Sequence, residues 1–345
     1  MSSIVLFEDK KDCCGCGACF NACPKKAISM CEDEYGFIYP QINKNLCVEC
    51  GLCKKTCGYQ DLPEKHVSSK VYAAASKSSD IIKKSASGGA FATLAIKVLK
   101  DGGVVYGATL AFEDQKLIPK YISIDKVQDL YKLQGSKYVQ CNIGTTYKQA
   151  KKDLTEGKKV LFSGTPCNIA GLKKFLARDY ENLITVEIIC HGVPSAMLFQ
   201  DFINVYSHKL GGTIEDFYFR DKSKGQGMVT RSVWKNKKGE QYKTIKVGGI
   251  LSYINFFSRS YTYRINCYSC PYATKDRVAD LTIGDFWGFH EEYPNYKESQ
   301  GLSNGKGISC VLVNTSQGEN ILKQCSYDFI LMESKFEKID KHNEQ

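Results

Sequence analysis

The sequence predicts an α+β protein, with a small cysteine-rich module over residues 1–60 followed by a larger mixed α/β domain with a central sheet. Three observations carry this expectation. Two runs, Cys13-Cys16-Cys19-Cys23 and Cys47-Cys50-Cys53-Cys57, share the spacing C-x-x-C-x-x-C-x-x-x-C. From Val71 onward, short apolar runs alternate with stretches of helical periodicity. Two of the resulting strand-to-helix turns carry a cysteine, Cys167 and Cys190. A chain of 345 residues, 43% apolar, has room for about two domains and a sizeable core.

The cysteine runs specify a chemistry. A cubane of four irons and four sulfides needs one thiolate per iron, and three cysteines at this spacing wrap three of its corners. The fourth ligand crosses over from the other run. Cys13, Cys16, Cys19 and Cys57 are thus expected to hold one 4Fe-4S cluster, and Cys47, Cys50, Cys53 and Cys23 a second, as in a bacterial-type ferredoxin module. Structural zinc uses C-x-x-C pairs across a longer spacer and has no use for two interleaved quartets. A disulfide scaffold needs an oxidising compartment, and residues 1–12 read as having no secretory signal, since only Ile4 to Phe7 are apolar. Seventeen cysteines then point to ligands in a reducing cytoplasm. Cys14 and Cys31 are expected to be spectators.

Between the runs, Ala27–Ser29 and Phe37–Tyr39 read as a hairpin turned at Glu34-Tyr35-Gly36. Residues 61–70, with Pro63 and Ser68-Ser69, form the expected linker, and residues 71–335 the second domain. There a strand at Val71–Ala75 leads to Ser87-Gly88-Gly89 and a helix with Phe91, Leu94, Ala95, Val98 and Leu99 on one face. Ser87 is the expected N-cap, and the glycines allow an anion near the helix's free N–H groups. Strands follow at Val104–Leu110 and Tyr121–Ile124, then a helix at Thr145–Glu156. Lys159–Ser163 and Leu183–Ile189 are strands that end in the turns Gly164-Thr165-Pro166-Cys167 and Cys190-His191-Gly192. Pro166 suits a first helical position, and Pro194 is expected to start a helix with Leu198, Phe202, Val205 and Tyr206 inward. Three antiparallel strands, a helix near Leu251–Phe257, the pair Cys267 and Cys270, and strands at Leu281–Ile283, Ile308–Val313 and Phe329–Met332 complete the domain. The last dozen residues are expected to fray.

The net charge of +10 resides outside the module, because residues 1–60 carry seven basic and seven acidic side chains. Basic pairs such as Lys151-Lys152 and Lys173-Lys174 are scattered over helix faces, which argues against a nucleic-acid stripe. No apolar run approaches the roughly 18 residues of a membrane span.

Cys167, Cys190, Cys267 and Cys270 form a further group of four. Their spacing alone leaves a third 4Fe-4S cluster, a zinc ion or unligated thiols open. Cys141, Cys310 and Cys325 read as core residues.

Ser87-Gly88-Gly89, Gly164-Thr165-Pro166-Cys167, Cys190-His191-Gly192, and the stretch from Cys267 through Pro271 to Gly284-Asp285-Phe286-Trp287 together resemble the coenzyme F-420 hydrogenase/dehydrogenase beta subunit family. The resemblance runs from Val71 to about Val313. It implies an FAD-containing oxidoreductase that exchanges hydride with a soluble carrier and single electrons with iron-sulfur clusters. It further implies that Ser87, Gly88 and Gly89 bind the flavin pyrophosphate, that Gln134, Ser136, Lys137 and Tyr138 line the flavin, and that Thr165 and Asp285 lie beside it. Cys167, Cys190, Cys267 and Cys270 would hold the third cluster. Asn168 stands where the family commonly has glutamine. Lys137 and His191 are the candidates for proton handling, and a ferredoxin or partner subunit is the expected redox partner. A relay subunit without chemistry of its own, or an assembly protein with structural clusters, are the alternative readings.

Overall fold

The computed structural model describes residues 4–343. In the N-terminal module, α1 (Ala18–Ala22) lies within the first cysteine run, β1 (Ile28–Glu32) and β2 (Ile38–Ile42) form the expected hairpin, and α2 (Leu52–Lys55) lies within the second run. Ile28 stands opposite Ile42 and Glu32 opposite Ile38. Each helix starts after a glycine in the left-handed region, Gly17 at φ 70° and Gly51 at φ 74°. A side chain there would clash with the backbone, so glycine is what lets each cysteine loop close.

The second part alternates β3 (Lys70–Ser76), α3 (Ser79–Lys84), α4 (Ala90–Lys100), β4 (Val104–Glu113), β5 (Lys116–Ile124), α5 (Thr146–Thr155), β6 (Val160–Gly164), α6 (Pro166–Leu176), β7 (Leu183–Ile188) and α7 (Ala196–Leu210). A separate antiparallel sheet of β8 (Gly212–Tyr218), β9 (Val229–Asn236) and β10 (Gln241–Val247) follows, then α8 (Ser252–Ser258). The chain returns through β11 (Leu281–Asp285), α9 (Phe289–Glu292), β12 (Ser309–Val313), α10 (Ser316–Gln324), β13 (Phe329–Ser334) and α11 (Phe336–Asp340).

Eight strands make the central sheet in the order β13-β3-β12-β11-β7-β6-β4-β5. Its middle pairs, β4 with β6, β6 with β7 and β7 with β11, are parallel. The carboxyl ends of β6, β7 and β11 therefore lie side by side, which brings the turns at Thr165, Cys190 and Asp285 to one edge, where open α/β sheets collect ligands. Helices cover both faces, so these strands are apolar throughout rather than alternating. Leu94, Ala95 and Val98 of α4 pack with Val105, Leu161 and Val186 on one side. Tyr147 of α5 and Ile169 and Leu172 of α6 pack with Phe162 and Val160 on the other.

That second core also receives Cys14, Cys16 and Ala18 of the N-terminal module. Gly171 on α6 makes the contact possible, because a Cβ there would stand 2.8 Å from Cys16 Sγ. Gly58 meets the same helix, where a Cβ would lie 2.7 Å from the Ala170 carbonyl. Two tyrosines tie the surfaces together: Tyr59 Oη donates to Asn266 O at 3.1 Å, and Tyr272 Oη donates to Gly58 O.

Several expectations differ from the structure. Pro194 lies before α7, whose N-cap is Ser195, with its hydroxyl accepting from Leu198 N. The buried stripe of that helix is Phe199, Ile203 and Tyr206, while Val205 is exposed. Ser87 is not the cap of α4, because its hydroxyl donates to Ile308 O and Gly89, at φ 89°, holds the cap position. Residues 61–70 are pinned rather than loose, with His66 paired to Arg277 and Ser69 N donating to Val313 O. The C-terminal stretch folds into α11, with Ile339 buried; residues 344–345 lie outside the described range.

Candidate functional site

The two cysteine runs line two neighbouring recesses, with the last cysteine of each run crossing over. One recess is bordered by Cys23, Cys47, Cys50 and Cys53, together with Ile4, Val48 and Leu52. The other is bordered by Cys13, Cys16, Cys19 and Cys57, together with Cys14, Phe7 and Tyr59. Cys53 touches both. Cys50 is exposed, whereas Cys16 is buried against α6. Burial pushes the Cys13 thiol up to about 11, and burial together with its neighbouring thiols raises Cys19 well above the usual range. Such thiols stay protonated until a cationic core displaces the proton.

The third quartet assembles at the sheet edge. Cys167 occupies the first turn of α6 after Pro166, with Thr165 Oγ1 3.2 Å from its Sγ. The thiol is held low by a hydrogen bond from Cys14 and by the Thr165 hydroxyl, against its burial. Burial pushes Cys267 up to about 12 and raises Cys190 well above its ordinary value. In each, nearby thiols of the quartet add to the effect, Cys167 among them. The chain that follows the Cys267–Cys270 loop is anchored from behind at residues 278–280. Glu187 on β7 accepts the N–H groups of Val278 and Ala279, both at 3.2 Å, and Asp280 accepts Thr185 N at 2.8 Å and Thr185 Oγ1 at 2.6 Å. Cys14, expected to be a spectator, is buried within hydrogen-bonding reach of Cys16 and Cys167, and so joins the first quartet to the third.

Among the described residues, no three His, Cys, Asp or Glu side chains converge as ligands of one metal ion do.

A second polar centre forms around Arg220, which is buried at 7% exposure. Arg220 donates to both carboxylate oxygens of Asp285, at 2.9 and 3.3 Å, to Tyr138 Oη at 3.2 Å and to Ala86 O at 3.4 Å. Its Nε is buried without a partner, and its guanidinium lies 5.0 Å from the Trp287 ring centre. Lys222 donates to Ser87 O and, at 2.6 Å, to Lys306 O. Burial lowers it to about 8.

Of the expected flavin residues, Ser87, Tyr138 and Asp285 thus meet around Arg220 and Lys222, while Gln134 Nε2 lies 3.5 Å from Ser85 Oγ, beside Gly89. Ser136 is partly buried in the same segment as Tyr138. Gly88 serves the sheet, since a Cβ there would lie 2.3 Å from Ala74 O and 2.7 Å from Ser309 N. Lys137 turns back on its own loop, donating to the carbonyls of Gln134 at 2.8 Å and Gly135 at 3.3 Å, and burial lowers it to about 8. His191 is exposed in its turn, and Thr165 belongs to the Cys167 side. Arg220, Lys222 and Arg264 went unnoticed in the sequence. Each is a single basic residue without a motif, and the only available cue for Arg264 was its position three residues before Cys267.

The C-terminal domain of the coenzyme F-420 hydrogenase/dehydrogenase beta subunit matches residues 157–338, its N-terminal domain matches residues 71–147, and the 4Fe-4S binding domain matches residues 7–29. An uncharacterized protein of Methanocaldococcus jannaschii is 27% identical over 203 residues, which are 51% of this chain and 56% of that protein. The chain thus spans little more than half of that relative. An uncharacterized ferredoxin of the same organism is 31% identical over 55 residues, 16% of this chain and 70% of the ferredoxin. The F-420-reducing nickel-iron hydrogenase complex from Methanosarcina barkeri contains a similar fold, with a TM-score of 0.51 at 17% identity over 80% of this chain and 85% of that one. Among the described residues no helix is long and apolar enough to cross a membrane. With the C-terminal domain alone matching more than half of its residues, the chain belongs to the coenzyme F-420 hydrogenase/dehydrogenase beta subunit family and carries a 4Fe-4S binding segment at its N-terminus.

Proposed function

We propose that the protein is an iron-sulfur flavoprotein oxidoreductase that passes electrons between a hydride carrier or ferredoxin, FAD and three 4Fe-4S clusters. The observation that carries this reading is the continuity of its cysteines. They run from exposed Cys50, through Cys53 at both recesses, to Cys16 and Cys14 packed against Cys167. In this assignment Cys13, Cys16, Cys19 and Cys57 ligate one cluster, Cys47, Cys50, Cys53 and Cys23 another, and Cys167, Cys190, Cys267 and Cys270 the third.

The donor set around Arg220 fits the anionic part of a dinucleotide. Among the described residues the hydrogen-bond partners of Lys222 are carbonyls, with Asp285 near enough to feel its charge, Arg220 keeps one unused buried N–H, and the first N–H groups of α4 are free of intrahelical partners. The glycines contribute differently from the sequence expectation, Gly88 by strand packing and Gly89 by its positive φ. Bound flavin would supply the exchange between a two-electron hydride and single electrons. Arg220 and Asp285 would fix its orientation, Tyr138 would line it, and Lys137, poised near 8, would hold or release a proton. His191, exposed in its turn, would be the second candidate for handling protons.

Exposed Leu46, Val48 and Leu52 beside Cys50 favour a second reading, a relay subunit that docks on a catalytic partner. Anaerobic mixing with reduced coenzyme F-420, reduced nicotinamide or reduced ferredoxin separates the two. Flavin bleaching by a hydride donor supports the catalytic reading, and flavin-free protein reduced only by ferredoxin supports the relay.

The Lys222 assignment predicts a pH effect. Burial lowers its pKa from 10.5 to about 8, so the ammonium exists below that pH and is lost above it. Flavin affinity should fall as pH rises through about 8, and Lys222→Met should weaken it about tenfold to hundredfold at neutral pH. Equilibrium dialysis with FAD measures both effects. Unchanged affinity in the variant and a flat profile from about pH 7 to 9 would remove Lys222 from the site.

A further inference from the structure

We propose that Arg264 is a fixed counter-charge shared by the Cys13 and Cys167 cluster sites, positioned to raise the electron affinity of both. The inference rests on the cluster assignment above. Arg264 is 1% exposed and heads the largest fully buried side chains. Its polar partners among the described residues are all neutral. Nε and Nη2 donate to Cys13 O at 3.1 and 3.0 Å, and Nη1 donates to Gln140 Oε1 at 3.4 Å. The guanidinium lies 3.8 Å from the Tyr39 ring centre and 5.7 Å from that of Phe37.

The other deeply buried arginines provide the contrast. Arg220 pairs with Asp285 at 2.9 Å, and Arg277 lies 4.0 Å from Glu187. A guanidinium cannot shed its charge in a protein, and a buried charge without a counter-ion is strongly destabilising. An anion is therefore expected beside Arg264, and its charge bears on Cys13, Cys167 and Cys267, which would be thiolates in the assigned clusters.

The placement serves two quartets at once. Arg264 N donates to Val193 O at 2.9 Å, and Arg264 O accepts from Cys267 N at 2.8 Å, so its main chain belongs to the third quartet's loop. Its side chain ends on the main chain of Cys13 in the first quartet. Arg264 borders neither recess of the N-terminal module and reaches the first through the Cys13 carbonyl, whereas among the described residues it makes no hydrogen bond to the Cys47 run. A cluster gains one unit of negative charge when it takes an electron from a neighbouring cluster, with no bond broken and no proton required. A positive charge fixed beside two of the three clusters makes that step more favourable at those two.

The test is an EPR-monitored redox titration of the anaerobically loaded full chain, comparing wild type with Arg264→Met and Arg264→Lys, with iron counted in each. Removing the charge should shift the reduction equilibrium of the Cys13 and Cys167 clusters at least tenfold toward oxidation, about 59 mV for one electron. The Cys47 cluster should stay in place, and lysine should recover part of the shift. Unmoved potentials at full iron content, or an equal shift at all three clusters, would overturn the proposal and leave the cluster assignment standing. A protein holding only the two N-terminal clusters, with the Cys13 cluster still displaced, would remove the third cluster and support the role of Arg264 at the first. If Arg264→Met fails to load, Arg264→Gln takes its place. Loading by lysine alone supports a need for the charge, and failure of all three variants makes the residue structural and overturns the proposal.

Discussion

Cys57→Ser is expected to damage the cluster held by Cys13, Cys16 and Cys19, although Cys57 belongs in sequence to the other run. Cys57 borders the recess of the first run, and Cys23 borders that of the second. The charges of Cys13, Cys16 and Cys57 all bear on Cys19, whereas Cys53 feels Cys47 and Cys50. Serine leaves one iron without a thiolate, so the expected product is a three-iron species at that site with its own EPR signal, and about eleven irons in place of about twelve. The Cys47 cluster should be unchanged. A three-iron signal arising instead from the Cys47 cluster, identified by its loss in Cys47→Ser, would reverse the crossing of ligands.

Cys267→Ser combined with Cys270→Ser is expected to remove the third cluster, two of whose corners it strips, and uncouple the two ends of the protein. Cys267 shares its surroundings with Cys167, Cys190 and Cys270, and the chain that follows is held to the sheet by Glu187 and Asp280. Those anchors do not involve either thiol, so the fold should survive. Iron should fall from about twelve to about eight. Flavin should still bind and accept a hydride, while the N-terminal clusters no longer bleach on the same time course. Undiminished bleaching of the N-terminal clusters would mean that electrons bypass the third quartet.

The parts of the structure legible in the sequence are those written in local pattern. Pro166 does open α6, the hairpin forms between the two cysteine runs, and strands end just before the turns that carry Cys167 and Cys190. The register of α7 was not legible, because Leu198, Phe199, Phe202, Ile203, Val205 and Tyr206 offer apolar residues on more than one face, and packing against β8 and α8 selects Phe199, Ile203 and Tyr206. Ser87 looked like a cap because a serine precedes a helix. Its hydroxyl is instead drawn to the carbonyl of Ile308, 221 residues away. Arg264 meets Cys13 across 251 residues, and Arg220 meets Asp285 across 65. Contacts of that range depend on the sheet's topology, which no local spacing records.

The claim that three cysteine quartets each hold a four-iron cluster is tested most directly by iron, sulfide and zinc analysis of the anaerobically reconstituted full chain. About twelve irons with matching sulfide and no zinc are expected. A value that stays near eight irons, with one zinc per chain, would contradict the third cluster and assign Cys167, Cys190, Cys267 and Cys270 to a zinc site.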